Sequence, residues 1–290
     1  MFDLEAIYRA ASVQDAIAAL VADPEAVVIA GGTDVLIRIR EGKLAGCRLV
    51  SIHDLPELAG CRLDAAGALH IGPLTCFRDI VDHPLVQRHI PILAQAAAAV
   101  GGPQIRAMGT VGGNLCNGAT SADTASSLFA LNAVLTLTGP QGSRQLPVAE
   151  FYLGPGQVAL QPGELLTDIC IAQADYQGFG GCYLKYAMRN AMDIATLGTA
   201  VLARAHGAAL MELRVAFGVA GPVPMRCPQC EAALSGTLFR DAERLIAGLV
   251  REEIHPRSSW RASREFRLQV AGENAARALR QAFIQAGGEV

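Results

Sequence analysis

Two glycine doublets, each close to a threonine, constrain this chain more than any other feature of its sequence. The first, Gly31-Gly32, directly follows the apolar run Ala26–Ala30, which is typical of a buried strand, and precedes Thr33 and Asp34. Successive glycines expose backbone N–H groups with no Cβ in the way, a geometry that binds phosphate, and Thr33 adds a hydroxyl donor. A tight turn between a strand and a helix is the alternative for this doublet alone, because it lacks the GxGxxG spacing.

The second doublet, Gly112-Gly113, lies between Thr110 and Asn114 in a stretch, 101–123, that contains six glycines. So many permissive residues indicate backbone in unusual conformations or close to a ligand. The two doublets together could bind the two phosphates of one dinucleotide, with a hydroxyl and an amide beside the second. A glycine-rich surface loop is the alternative, and the repetition of the pattern disfavours it without naming a ligand.

Hydrophobic periodicity predicts an α+β fold in two parts. Ser12, with Asp15 three residues on, predicts the start of a helix over 13–21. Further segments of the first part are predicted as strands at 26–30, 48–52, 68–72 and 134–138 and as helices at 90–100 and 124–131. The second part is predicted as strands at 182–187, 198–205 and 213–219 followed by helices at 242–253 and 263–286, with the boundary between the parts in 173–181.

Composition excludes several classes of protein. The net charge is −3 and the basic residues are scattered, so we expect no nucleic-acid partner. No apolar run is long enough to span a membrane, and Asp3 and Glu5 stand where a secretory signal would be basic, so we expect a soluble, cytoplasmic protein. With 51% hydrophobic and 18% charged residues, the chain has apolar surface to spare for partner subunits.

The cysteines and histidines do not predict a metal site. Eight cysteines are spread along the chain, and the lone pair Cys227 and Cys230 is too small a ligand set for zinc or an iron-sulfur cluster. The six histidines show no paired spacing on a helix. We therefore expect structural cysteines and no metal ion.

Several motifs, in their order and spacing, make the sequence similar to a known family. It resembles the FAD-binding subunits of xanthine dehydrogenases and, more broadly, the flavoprotein subunits of carbon monoxide dehydrogenase and related molybdenum hydroxylases. The motifs that carry the resemblance are 30–37, 102–106, 110–123, 185–189, 193–195, 216–218 and 259–263. The resemblance implies an FAD-binding fold of the PCMH/VAO type at 1–176, in subdomains of about 1–55 and 56–176, followed by a C-terminal α+β lobe at 177–290 of the CO dehydrogenase flavoprotein type.

The resemblance also implies the residues of the site. Asp123 would lie near the ribityl or ribose hydroxyls, Leu166 would pack near the flavin, and Lys185 would stabilise negative charge on the reduced ring. Val100 stands where some members of the family stack an aromatic ring on the adenine. The residues expected to contact the FAD pyrophosphate are Val28, Ile29, Ala30, Gly31, Gly32, Thr33, Asp34, Gly109, Thr110, Val111, Gly112, Gly113 and Asn114.

By the same resemblance, non-covalent FAD would pass electrons from a partner's 2Fe-2S clusters to NAD while purines are hydroxylated at the molybdenum cofactor of a large subunit. The implied assembly is a dimer of heterotrimers. One alternative is the flavin subunit of another molybdenum hydroxylase, acting on carbon monoxide, an aromatic compound or an aldehyde, with quinone or another acceptor. A non-catalytic module that has lost its flavin is the other.

Overall fold

The computed structural model describes residues 2–290, and its first region is a small parallel sheet. The elements are β1 (Leu4–Arg9), α1 (Val13–Ala22), β2 (Val27–Ile29), α2 (Val35–Arg40) and β3 (Cys47–Ser51), and the strand order is β1-β3-β2. The Ser12 hydroxyl accepts the N–H of Asp15 at 3.1 Å, which confirms the predicted helix start. Helix α1 buries Val13, Ile17 and Leu20 in a core that also includes Leu58 and Leu165 from later in the chain, so this region packs against the rest of the protein.

The second region is built on an antiparallel sheet in the order β4-β5-β10-β6-β7. Helices α4, α5 and α6 each begin at a proline, whose fixed φ suits the first helical position. The elements are β4 (Cys61–Leu63), β5 (Leu69–Ile71), α3 (Phe77–Asp82), α4 (Pro84–His89), α5 (Pro91–Ala98), α6 (Pro103–Met108), α7 (Val111–Cys116), α8 (Asp123–Ala130), β6 (Val134–Gly139), β7 (Gly142–Pro147), α9 (Val148–Phe151), the short pair β8 (Tyr152–Gly154) and β9 (Gln157–Val158), and β10 (Leu165–Ile171).

The third region is a second antiparallel sheet, β11-β12-β13-β14, with β15 paired to β13. Its elements are β11 (Gly180–Tyr186), β12 (Leu197–His206), β13 (Ala209–Gly218), β14 (Met225–Arg226), α10 (Pro228–Leu234), β15 (Thr237–Leu238), α11 (Phe239–Glu253) and α12 (Arg264–Gln285). The strands at 182–187, 198–205 and 213–219 and both late helices are confirmed within a few residues.

Both faces of this second sheet are buried. Cys182 and Val201 face the core beneath α11 and α12, whereas Tyr183, Ala200 and Leu202 face the core that contains α5 and α8. Alternate residues therefore enter two cores, which explains why β12 is an almost continuous apolar run. The sheet joins the C-terminal helices to the second region and brings residues of β11 next to α5 and α8.

Candidate functional site

A cavity of about 280 Å³ lies where the β2–α2 turn, helix α7 and strand β10 meet. Eleven of the residues that we predicted for cofactor binding line it, namely Val28, Ala30, Gly31, Gly32, Thr33, Asp34, Thr110, Gly112, Gly113, Asn114 and Leu166. Ile29, Gly109 and Val111 lie directly beside lining residues in the chain, whereas Asp123 and Lys185 lie elsewhere. The fold thus brings the two glycine doublets, 80 residues apart, to one cleft.

The β2–α2 turn offers a row of free donors to this cavity. The backbone N–H groups from Gly31 to Val35 donate to no acceptor in residues 2–290. Gly32 is buried and has φ +73°, a conformation that favours glycine. Only Gly32 of this row is buried, and its N–H without an acceptor is costly. All five N–H groups are free to donate to an anionic ligand.

Gly31 is required for a different reason. A Cβ at Gly31 would lie 1.7 Å from the carbonyl oxygen of Met108, at the end of α6. The backbone of the β2–α2 turn therefore touches the backbone that leads into α7. This close approach builds the cleft from two segments that are remote in sequence.

The second doublet does not form a glycine-rich loop, because Gly112 and Gly113 lie in helix α7. Thr110 caps this helix: its Oγ1 accepts the N–H of Gly113 at 3.0 Å. The N–H groups of Val111 and Gly112 donate to the carbonyl oxygens of Thr75 and Pro73. The donors of this segment are used within the protein, so its contribution to the cleft is open space over the exposed Gly113.

Polar side chains complete the cavity. The Oδ1 of Asn114 accepts from the Thr124 hydroxyl at 2.6 Å, an arrangement that leaves the amide NH2 of Asn114 as a donor. Arg38, one helical turn after Asp34, also lines the cavity. Burial raises the pKa of Asp34, and the nearby charge of Arg38 partly opposes that rise. Sequence reasoning missed Arg38, although its spacing of four residues from Asp34 on a helix was the available signal.

Asp123 and Lys185, the other two predicted residues, form a buried ion pair outside this cavity. Lys185 Nζ donates to Asp123 Oδ2 at 2.8 Å and to the carbonyl oxygen of Ala99 at 3.0 Å. Tyr183, which the sequence did not suggest, donates its hydroxyl to Asp123 Oδ1 at 2.7 Å. Burial raises the pKa of Asp123, and Lys185 opposes the rise. Lys185 also lines a second cavity of about 550 Å³ with Tyr186 and the segment 189–193.

Cys116 lies at the wall of the glycine cavity, where a thiol could react with a ligand. Burial raises its pKa to about 12, so the group is a neutral thiol at physiological pH and a poor nucleophile.

In the part of the chain that the structure describes, no helix is long and apolar enough to cross a membrane. The cytoplasmic location stays a prediction.

The α+β fold and the donor-lined cleft suit a nucleotide-binding protein, and comparison with known families shows a flavoprotein of the molybdenum hydroxylases. Residues 2–173 match the FAD binding domain in molybdopterin dehydrogenase, and residues 182–282 match the CO dehydrogenase flavoprotein C-terminal domain. The chain belongs to this family of FAD-binding oxidoreductase subunits. The α+β fold class expected from the sequence is confirmed.

Individual relatives make the likeness more specific. The chain is 41% identical to the xanthine dehydrogenase FAD-binding subunit of Escherichia coli O157:H7 over an alignment of 291 positions, which covers all of both chains. It is 31% identical to the carbon monoxide dehydrogenase medium chain of Hydrogenophaga pseudoflava over 90% of each chain. A solved structure of carbon monoxide dehydrogenase from that organism superposes with a TM-score of 0.92 at 29% identity, covering 98% of this chain and 99% of the other.

The cleft fits the pyrophosphate of FAD. A pyrophosphate needs several donors and positive charge, and the cleft supplies the N–H row from Gly31 to Val35, the amide of Asn114 and the guanidinium of Arg38. The missing side chain at Gly113 leaves room for the ligand above α7.

Proposed function

We propose that this chain is the FAD-binding subunit of a heteromeric xanthine dehydrogenase that delivers electrons to NAD. The observation that carries the proposal is the row of five free backbone donors in the cleft, Gly31 to Val35. The full-length likeness to a xanthine dehydrogenase FAD-binding subunit supports this substrate class over others in the family.

Bound FAD would supply the conversion between one-electron and two-electron transfer. The residues of the chain hold it: the β2–α2 turn and Arg38 bind the pyrophosphate, and the side chain of Leu166 forms an apolar wall of the same cavity. Lys185 is assigned to the flavin end, where its cation stabilises negative charge on the reduced ring. Asp123 orients that cation through the contact of 2.8 Å.

The proposed partners follow from the likeness to chains that are named as one component of a larger enzyme, an FAD-binding subunit and a medium chain. In this proposal the molybdenum cofactor lies on a large subunit and the 2Fe-2S clusters lie on a small one, in a dimer of heterotrimers. This chain would accept electrons from the cluster side and release them to NAD.

The test is to purify the chain alone, record its visible spectrum, and follow NADH oxidation with an artificial acceptor. We expect a flavin spectrum, release of the flavin on acid denaturation and NADH-dependent reduction of the acceptor. A chain without flavin would contradict the cleft assignment. Flavin that stays on the denatured polypeptide would contradict non-covalent binding. A flavin that quinols reduce and NADH does not would favour the alternative acceptor.

A further inference from the structure

A separate groove lies where the second and third regions join. It shares no lining residue with the proposed FAD cleft. Its volume is about 540 Å³, and three separate parts of the chain line it. These parts are the α4–α5 corner with Arg88 and His89, the connecting segment 173–180, and Gln285 at the end of α12. A volume of this size is within the range of about 300–1,000 Å³ that small-molecule sites occupy.

Two glutamines in the groove are oriented by the edge strand β11. Gln95 Oε1 accepts the N–H of Tyr183 at 2.8 Å, and Gln285 Oε1 accepts the N–H of Gly181 at 3.2 Å. Gly181 and Tyr183 are alternate residues of an edge strand, whose outward N–H groups have no neighbouring strand. Because the carbonyl end of each amide is used in this way, each NH2 end is the group that remains for a ligand.

The other polar groups of the groove include further donors. Arg88 presents an exposed guanidinium, and Gln173 and Gln177 add amides from the connecting segment. No Asp or Glu of the described chain lines the groove. A concave surface with an arginine, several amide NH2 groups and no carboxylate attracts an anion that has several acceptor oxygens.

We propose that this groove binds a phosphate monoester, with its phosphate between Arg88 and the NH2 groups of Gln95 and Gln285. Phosphate matches these groups because it offers three terminal oxygens to donors on three different elements that line one groove. The bound molecule would bridge α5 of the second region and α12 of the third. The inference goes beyond the proposed function and does not depend on it.

The groove allows a substitution that removes the donors and keeps the packing. Gln95→Glu and Gln285→Glu each retain an oxygen for the strand N–H and replace the NH2 donor with a carboxylate oxygen. Gln281→Glu is the matched control, because Gln281 lies one turn earlier on α12, accepts from Cys182 Sγ at 2.9 Å and does not line the groove.

The experiment is isothermal titration of the FAD-saturated chain with inorganic phosphate, with glycerol 3-phosphate and, as a dicarboxylate for comparison, with succinate, at constant ionic strength. We expect saturable binding to the wild type and to Gln281→Glu. Each groove variant should weaken binding about tenfold or more, the value of a lost charge-assisted hydrogen bond. Circular dichroism checks the fold, and Arg88→Ala, at an exposed position, gives the same test if a glutamine variant does not fold.

Three outcomes would overturn the proposal. They are the absence of saturable binding to the wild type, an equal loss in Gln281→Glu, and binding of succinate in place of both phosphates. The visible spectrum recorded before titration shows whether FAD is bound, so a failure of the FAD assignment is seen separately from a failure of the phosphate groove.

Discussion

Three glycines of the cleft are explained by the backbone conformations, close contacts and open space that glycine allows. Gly32 adopts φ +73°, Gly31 touches the backbone at Met108, and Gly113 is exposed beneath the open cavity. Gly113 has an ordinary φ, and a Cβ there would meet only Thr110 Oγ1, at 3.0 Å. The glycine at 113 is thus explained by ligand space, whereas Gly31 and Gly32 are also needed by the fold.

Gly113→Val should leave the chain folded and abolish FAD retention, because the branched side chain would project into the cavity. Gly248→Val is the control, since Gly248 is an exposed helical glycine with open space around it and does not line the cavity. Flavin absorbance per polypeptide after gel filtration gives the measurement. Equal flavin content in both variants would remove Gly113 from the site. Gly32→Val should also lose FAD. It should strain the backbone as well, because valine disfavours the φ of +73° at this position.

Lys185→Met should destabilise the chain by about 3 kcal/mol, because it leaves the buried Asp123 carboxylate without its cation. Burial already raises the pKa of Asp123, and the loss of Lys185 raises it further. A carboxyl whose folded pKa is raised loses stability as pH rises through that value, so the defect should be larger at about pH 8 than at about pH 5.

Urea unfolding at the two pH values measures this effect. The double variant Asp123→Asn with Lys185→Met is the control and should show little of the pH dependence, because it has no carboxyl at this position. The same loss at both pH values in the single variant would show that the charge of Asp123 is not its cause.

Among the elements, the β2–α2 turn and the α6–α7 junction form the cleft together. Neither segment encloses the cavity alone, and their contact depends on the close approach of Gly31 to Met108. The same principle holds for β11, whose residues Tyr183 and Lys185 reach α8 through Asp123. Contacts between elements therefore decide the geometry of the site.

Gly31→Ala should separate these two segments and destabilise the chain by about 1–3 kcal/mol, the usual cost of overpacking, with a loss of FAD affinity. Gly248→Ala is the matched control, which should be neutral or stabilise the chain by up to about 1 kcal/mol, because it replaces an exposed helical glycine. Urea midpoints and flavin titration provide the readouts. An unchanged midpoint in Gly31→Ala would show that the turn yields without cost.

For the whole molecule, the apolar composition and the exposed side chains of Leu153, Met188 and Trp260 leave surface for other chains. The chain by itself should pass electrons from NADH to an artificial acceptor and form no urate from xanthine. Co-expression with subunits that carry molybdenum cofactor and 2Fe-2S clusters should restore urate formation with NAD. Light scattering should then give the mass of two copies of each subunit. Urate formation by the lone flavoprotein would contradict the subunit assignment.

The sequence by itself determined the elements whose signals are local. The Ser12 hydroxyl, which accepts the N–H of Asp15, starts α1, and the apolar runs at 182–187 and 198–205 become strands. The lack of a side chain at glycine is a local property that the sequence shows directly. The first doublet could therefore be predicted as a phosphate-binding site without any knowledge of the fold. Family motifs then extended this to FAD.

Only the tertiary structure decided how remote residues combine. Helix α7 was not predicted, because its glycines disfavour a helix and the contacts that support it, to Pro73 and Thr75, come from a distant segment. The pairing of Lys185 with Asp123 joins residues 62 positions apart. Local sequence patterns carry no information about such contacts, because packing between elements fixes them. For the same reason, the contact of Tyr183 with Asp123 and the amide-lined groove could be identified only in the folded chain.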